Sequence, residues 1–140
     1  MVTYRIKTGE AAGGLFTRVG MQLEAYCSGM GKVLLAHLPD PERRAYLATG
    51  PFVPLTSRTI VDPDRLEAEL QRVLGEGFAR DDEEISEGLR CLAAPIRKPD
   101  GHVLAAISVS QAGPPFRHAE EDLLPRLRAA ALAIEQAAFA

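Results

Sequence analysis

Cysteine is scarce in this sequence of 140 residues, which contains only Cys27 and Cys91 and has no tryptophan. Two isolated cysteines cannot provide the disulfide framework of a small secreted domain. They and three scattered histidines show no metal-ligand spacing, so we expect no metal site and no cofactor. The N-terminus also lacks the basic start and apolar run of a signal peptide. The sequence therefore predicts a cytoplasmic protein with reduced thiols.

Long apolar runs and an excess of positive charge are also absent. Stretches such as Val33–Ala36 and Val103–Ile107 are far shorter than the roughly 20 residues of a membrane-spanning helix. Sixteen lysines and arginines against 19 acidic residues give a net charge of -3, which disfavours nucleic-acid binding by this segment. A hydrophobic content of 46% and a charged content of 25% are typical of a globular protein. We expect one domain spanning residues 1–140, without a membrane partner.

Three short helices are predicted from their start signals. Ser28 can cap the first free amides of a helix. Asp40-Pro41 and Asp62-Pro63 each place a cap residue before a proline at the first helical position. The third helix also carries an apolar stripe at helical spacing, formed by Leu66, Leu70, Val73 and Leu74.

Strands and a final helix complete the predicted elements. Lys98–Gly101 has strong turn chemistry and should join two strands as a hairpin. From about His118 to Ala138, a helix is predicted that Pro125 must kink or shift; its stripe is Leu123, Leu127, Ala130, Ala131 and Ile134. The predicted strands are Thr3–Lys7, Leu15–Val19, Phe78–Arg80, Leu89–Arg97 and His102–Ser110. Together the elements indicate an α+β domain with a mainly antiparallel sheet flanked by helices.

Two serines fall on the same side of the last strand of the hairpin. Side chains alternate along a strand, so Ser108 and Ser110 share one face with apolar neighbours, as do Leu89 and Cys91 in the partner strand. If Lys98 pairs with Gly101, Cys91 lies opposite Ser108 and Leu89 opposite Ser110; a bulge at the turn would shift this register. The serines either occupy a solvated face or form the floor of a pocket whose ligand satisfies their hydroxyls.

Two further features could bind an anion or face inward. Ser28-Gly29-Met30-Gly31 begins a helix, where free amides favour negative charge and Gly29 permits close approach, although an ordinary capped terminus would look the same. Asp81 begins an acidic run that is otherwise expected to be a solvated loop, and its position at a strand end favours an inward side chain.

Two other functions remain open at this point. Cys91 could be a nucleophile with His102 or His118 in an enzyme that acts on a small acid, although no Cys-His signature is present. Alternatively, the chain could be an oligomerisation module with a vestigial pocket. We do not expect an enzyme, because isolated cysteines usually belong to the core.

Five segments resemble, in order, the motifs of the IclR family of bacterial transcriptional regulators. They correspond to the family's GKALLA, TxRTI, GYAxDDEE, GxRCxAAPI and AAxSVSG patterns. The matching segments are Ser28–Ala36, Thr56–Ile60, Gly77–Glu84, Gly88–Ile96 and Ala105–Ser110. Colinear motifs over most of the chain make the resemblance specific.

This resemblance implies a GAF-like effector-binding domain with a curved antiparallel sheet that holds a small organic acid or aromatic metabolite. It implies a homodimer or tetramer that contacts DNA only through an N-terminal winged helix-turn-helix domain, which is absent from these residues. Met30 is larger than the residue of several relatives, and Gln111 replaces a usual glycine. The implied ligand contacts are Gly29, Met30, Asp81, Leu89, Cys91, Ser108 and Ser110, with Leu23 as an apolar neighbour.

Overall fold

The computed structural model describes residues 24–140 of the chain. The predicted strands Thr3–Lys7 and Leu15–Val19 and the predicted ligand contact Leu23 lie outside the described residues. The described elements are a 3-10 helix at Ala25–Cys27, α1 (Gly29–Ala36), α2 (Asp40–Leu47), α3 (Pro63–Glu76), β1 (Ala79–Asp82), β2 (Leu89–Arg97), β3 (Val103–Ala112) and α4 (Glu120–Ala138). The predicted α+β class is confirmed.

The start signals of α1 and α3 act as predicted. The side chain of Ser28 accepts a hydrogen bond from the amide of Gly31 at 3.0 Å, and that of Asp62 accepts from Arg65 at 2.9 Å. These bonds satisfy amides that have no partner inside the helix. At the other end of α3, Gly77 adopts a φ of 82°, the left-handed conformation that ends many helices.

The predicted cap of α2 is wrong by one position. Asp40 is the first helical residue, and the preceding Pro39 makes no side-chain cap. The carboxylate of Asp40 instead pairs with the guanidinium of Arg43, one turn later, at 2.8 Å. This contact holds Asp40 inside the first turn, where a negative charge also favours the helix dipole.

The described strands form an antiparallel sheet in the order β1-β2-β3. The register predicted for the hairpin is wrong by two residues, because Cys91 pairs with Ser110 and Leu89 with Ala112. An irregularity lies between Ile96 and Arg97, and the turn is closed by the amide of Lys98 donating to His102 at 2.8 Å. A shift of two residues leaves every side chain on its predicted face.

Two hydrophobic clusters cover the two sides of this sheet. On the side that we call the α1 face, Ala79 and Ala93 pack with α1 and α3, including the fully buried Leu66, Leu70 and Val73. Leu74 is 40% exposed, because a rotation of about 100° per residue carries it to the edge of the predicted stripe.

On the opposite side, which we call the α4 face, Leu92, Ala94 and Ile96 of β2 pack against Leu123 and Leu127 of the C-terminal helix. α4 begins two residues later than predicted and continues through Pro125. Ala131 completes its buried stripe, whereas the other predicted members, Ala130 and Ile134, are exposed. Apolar packing therefore holds α4 against this side of the sheet.

Candidate functional site

Three of the predicted site residues lie side by side across the α1 face. Asp81 of β1 is directly opposite Cys91 of β2, and Cys91 is directly opposite Ser110 of β3. The sulfur of Cys91 lies 3.1 Å from the hydroxyl oxygen of Ser110. We call Asp81, Cys91 and Ser110 the polar row. Ser108 lies beside it, opposite Ala93, so the structure brings these four predicted residues onto one surface.

The start of α1 packs directly on this surface. A Cβ atom added to Gly29 would lie 3.1 Å from the Cβ of Ala93 and 3.9 Å from the amide nitrogen of Asp81. A Cβ added to Gly31 would lie 2.5 Å from the backbone of Ala25. Gly31 therefore needs to lack a side chain to pack against the 3-10 helix, whereas a Cβ at Gly29 would require Ala93 to shift by a few tenths of an ångström. The amides of Gly29 and Met30 precede the first intrahelical hydrogen bond.

Met30 and Leu89, the remaining described site residues, flank this surface differently. Met30 is partly buried and packs against the cluster that contains α1. Leu89 is buried at the start of β2, but its partner is Ala112 rather than the predicted Ser110. Its displacement follows from the register shift described above.

A buried ion pair lies next to the polar row and was missed by sequence reasoning. The ammonium of Lys32, which is 0% exposed, lies 2.7 and 2.8 Å from the two carboxylate oxygens of Glu84. It also donates to the carbonyl of Arg80 at 2.9 Å. The expectation of a solvated acidic loop is therefore wrong for Glu84, because a cation inside an otherwise apolar helix needs a buried counter-ion. The sequence signal that could have indicated this ion pair is the single lysine within the otherwise apolar helix Gly29–Ala36.

Asp81 points inward, as the sequence predicts, and is 2% exposed. Its carboxylate accepts a hydrogen bond from the amide of Glu84 at 2.9 Å, which ties the acidic loop to the end of β1. Burial raises the pKa of Asp81 to about 6, although the bonded amide of Glu84 favours the ionised form.

Burial also raises the pKa of the Cys27 thiol to about 12, so that thiol stays protonated at neutral pH.

The described sulfur contact of Cys91 does not supply the general base that a nucleophile needs. Its sulfur contacts the hydroxyl of Ser110, which is not a base. His102 lies in the exposed hairpin turn beside Asp100. His118 is exposed and its amide donates to the side chain of Gln111. Of the two histidines that the enzyme hypothesis requires, only His102 has its ring paired with another residue, whereas His118 is bound through its backbone.

The α4 face carries a cavity of about 510 Å³ that the sequence did not predict. Its lining includes Arg80, Arg90, Leu92, Gln111, Phe116 and Leu123, and it also includes Asp81 and Cys91 of the polar row. The guanidinium of Arg90 lies 4.3 Å from the centre of the Phe116 ring and pairs with Asp82. Two cations of the lining, Arg80 and Arg90, are thus paired with acidic residues of the protein.

Two negative findings hold for residues 24–140. No group of three or more metal-ligating side chains there is close enough to hold a metal ion. None of the helices in that range is both long and apolar enough to cross a bilayer.

A family model described as the bacterial transcriptional regulator IclR C-terminal region matches residues 2–136 of the chain. The chain belongs to the IclR C-terminal family. The family resemblance drawn from the five sequence motifs is therefore confirmed. Among its curated relatives, the Pca regulon regulatory protein of Pseudomonas putida is 45% identical over 92 residues, which cover 66% of the chain.

Two solved structures show the same fold. The IclR protein of Thermotoga maritima matches with a TM-score of 0.76 and 30% identity, covering 87% of this chain and 50% of that one. An IclR homolog from Microbacterium hydrocarbonoxydans, solved in complex with 4-hydroxybenzoate, matches with a TM-score of 0.79 and 30% identity, covering 87% of this chain and 49% of that one.

The chain spans only part of its relatives. It covers 32% of the length of the Pca regulon regulatory protein and 41% of that of the regulator KdgR of Escherichia coli. These relatives are named as regulators and not as enzymes. The rest of each relative lies outside the region that this chain matches.

Proposed function

We propose that this chain is the ligand-sensing domain of a transcriptional regulator and that it binds a small organic acid on the α1 face. The carboxylate would meet the amides at the start of α1, where the helix dipole favours an anion. The hydroxyls of Ser108 and Ser110 would bind the rest of the molecule, beside Asp81 and Cys91. Met30, Leu89 and Leu23 would supply apolar contacts.

One observation carries this proposal: the close approach of Gly29 to the sheet beside Asp81 and Ala93. It sets the first amides of a helix, which have no partner inside that helix, beside a row of polar side chains on one surface. The complex of the Microbacterium homolog with 4-hydroxybenzoate supports an aromatic acid as a first candidate.

We further propose that binding changes the equilibrium of a homodimer or tetramer and thereby re-spaces DNA-binding domains attached to the sensing domain. The effect cannot exceed the difference in ligand affinity between the two assemblies. Sedimentation with and without ligand tests this coupling, and an unchanged distribution at saturation would contradict it.

Calorimetric titration of the chain with a panel of acids tests the binding proposal. The panel contains benzoate, 3-hydroxybenzoate, 4-hydroxybenzoate, pyruvate and succinate. We expect micromolar to millimolar dissociation constants, as is usual for so few heavy atoms. Ser110→Ala should weaken binding about tenfold through the loss of one hydrogen bond, whereas Ser57→Ala, at an exposed position, should leave it unchanged. Equal binding by Ser108→Ala, Ser110→Ala and the parent chain would refute this site.

A further inference from the structure

The buried charges beside the polar row are already paired, apart from that of Asp81. The ammonium of Lys32 contacts both oxygens of Glu84, and it lies 3.7 Å from a carboxylate oxygen of Glu69. Within residues 24–140, no ion pair of 4.0 Å or less joins Asp81 to a cation. A bound carboxylate would therefore find no uncommitted buried cation beside Asp81 in this part of the chain.

An ionised acid bound here would place a second negative charge next to Asp81. Two carboxylates that share a buried site do not both remain ionised, since their repulsion adds to the cost of burial. A shared proton removes this repulsion and creates a strong hydrogen bond between the two groups. The number and placement of the buried charges thus require a proton.

We propose that Asp81 is a specificity-determining residue that binds the effector as a protonated carboxylic acid, so that each monocarboxylate is taken up together with one proton. This inference rests on the proposed function and specifies the ligand class. Singly charged acids fit the site, whereas a dicarboxylate brings a second charge for which residues 24–140 offer no uncommitted buried cation.

The groups around Asp81 are consistent with this role. Lys32 faces it from α1, Cys27 from the 3-10 helix and Glu84 from the acidic loop, while Cys91 lies opposite it on β2. Cys27 remains an uncharged thiol, and Lys32 and Glu84 neutralise each other. The adjacent residues of β1, Arg80 and Asp82, alternate onto the α4 face.

The dependence of affinity on pH follows from the ionisation of Asp81. Its pKa of about 6 in the unliganded protein means that protonation is nearly complete at pH 5 and requires proton uptake at pH 7.5. Affinity for a monocarboxylate should be nearly constant below pH 6 and should fall above it, by up to about tenfold per pH unit for one linked proton.

Titration calorimetry of the 140-residue chain with 4-hydroxybenzoate tests the inference. Repeating each titration in buffers of low and high ionisation enthalpy counts the protons that are taken up. We expect about one proton per bound acid at pH 7.5 and a dissociation constant about 20-fold higher there than at pH 5.5. The neutral analogue 4-hydroxybenzamide should bind without proton uptake and with no dependence on pH.

A pair of variants assigns the proton to one residue. Asp81→Asn keeps the oxygen that accepts from the amide of Glu84 but cannot titrate, so its binding of the acid should no longer depend on pH. Asp82→Asn, at an exposed position on the other face, should keep the full dependence. If Asp81→Asn fails to fold, the proton count of the parent chain still decides the inference.

The outcomes separate this inference from the proposed function. If 4-hydroxybenzoate or another monocarboxylate of the panel binds at pH 7.5 with no proton uptake, or if uptake persists in Asp81→Asn, the role of Asp81 is refuted and the site survives. If none of the panel binds at pH 5.5 or 7.5, the proposed function fails and the inference falls with it.

Discussion

The two faces of the sheet are built from the same strands but are stabilised in different ways. The α4 face is covered by large apolar side chains, such as Leu92, Leu123 and Leu127. The α1 face combines close backbone approach at Gly29 with a buried ion pair and a row of polar groups. Apolar packing tolerates many arrangements of equal volume, whereas buried polar groups require specific partners. This difference is the basis of our proposal that the α4 face supports the fold and the α1 face supports recognition.

The buried ion pair should produce the largest effect on stability. Lys32→Met leaves the carboxylate of Glu84 without its cation, which should lower the free energy of unfolding by about 3–5 kcal/mol. The double variant Lys32→Met/Glu84→Gln removes both charges and should recover a substantial part of the loss. Urea denaturation measures both changes. A single variant as stable as the parent chain would show that the pair contributes little to the α1 face.

A substitution that removes apolar packing on the α4 face should change stability without changing ligand binding. Leu127 is 5% exposed and packs against the sheet, so Leu127→Ala should cost about 3 kcal/mol through lost contacts and an unfilled space. Its affinity for 4-hydroxybenzoate should remain within about twofold of the parent value at a temperature where both are folded. Leu132→Ala, at an exposed position of the same helix, is the matched control for stability.

Loss of affinity from this core variant, in the absence of unfolding, would contradict the division of roles between the faces.

A pair of glycine variants gives the smallest and most selective effect. Gly29→Ala places a methyl group 3.1 Å from the Cβ of Ala93, which should cost about 1 kcal/mol and obstruct the ligand surface. Gly75→Ala lies in α3, where an added Cβ meets no atom within 4 Å, and should stabilise the helix by about 0.5–1 kcal/mol. Thermal unfolding and calorimetry distinguish the two; equal behaviour would show that α1 does not need its close approach to the sheet.

Local signals were sufficient for the starts of α1 and α3 and for the faces of the strands. The hydroxyl of Ser28 and the carboxylate of Asp62 cap their helices through contacts only three residues away. Strand alternation assigned Cys91 and Ser110 to one face. The pairing between these strands was wrong because it depends on the irregularity at Ile96 and Arg97, which no local propensity specifies.

The missed features depend on contacts between distant parts of the chain. Lys32 and Glu84 are 52 residues apart, and charged residues are expected at the surface unless such a partner is known. The cavity on the α4 face depends on how the segment before α4 folds back, which the two hydrogen bonds between Gln111 and His118 help to fix. Gln111 was recognised as unusual for the family, but its partner could not be read from the sequence.

The division between the two faces can be tested most directly by locating a bound acid. We predict that a crystal structure of the chain with 4-hydroxybenzoate will show the carboxylate beside the start of α1 and the polar row. Electron density for the acid in the α4-face cavity beside Arg90 and Phe116, with the α1 face unchanged, would contradict the account.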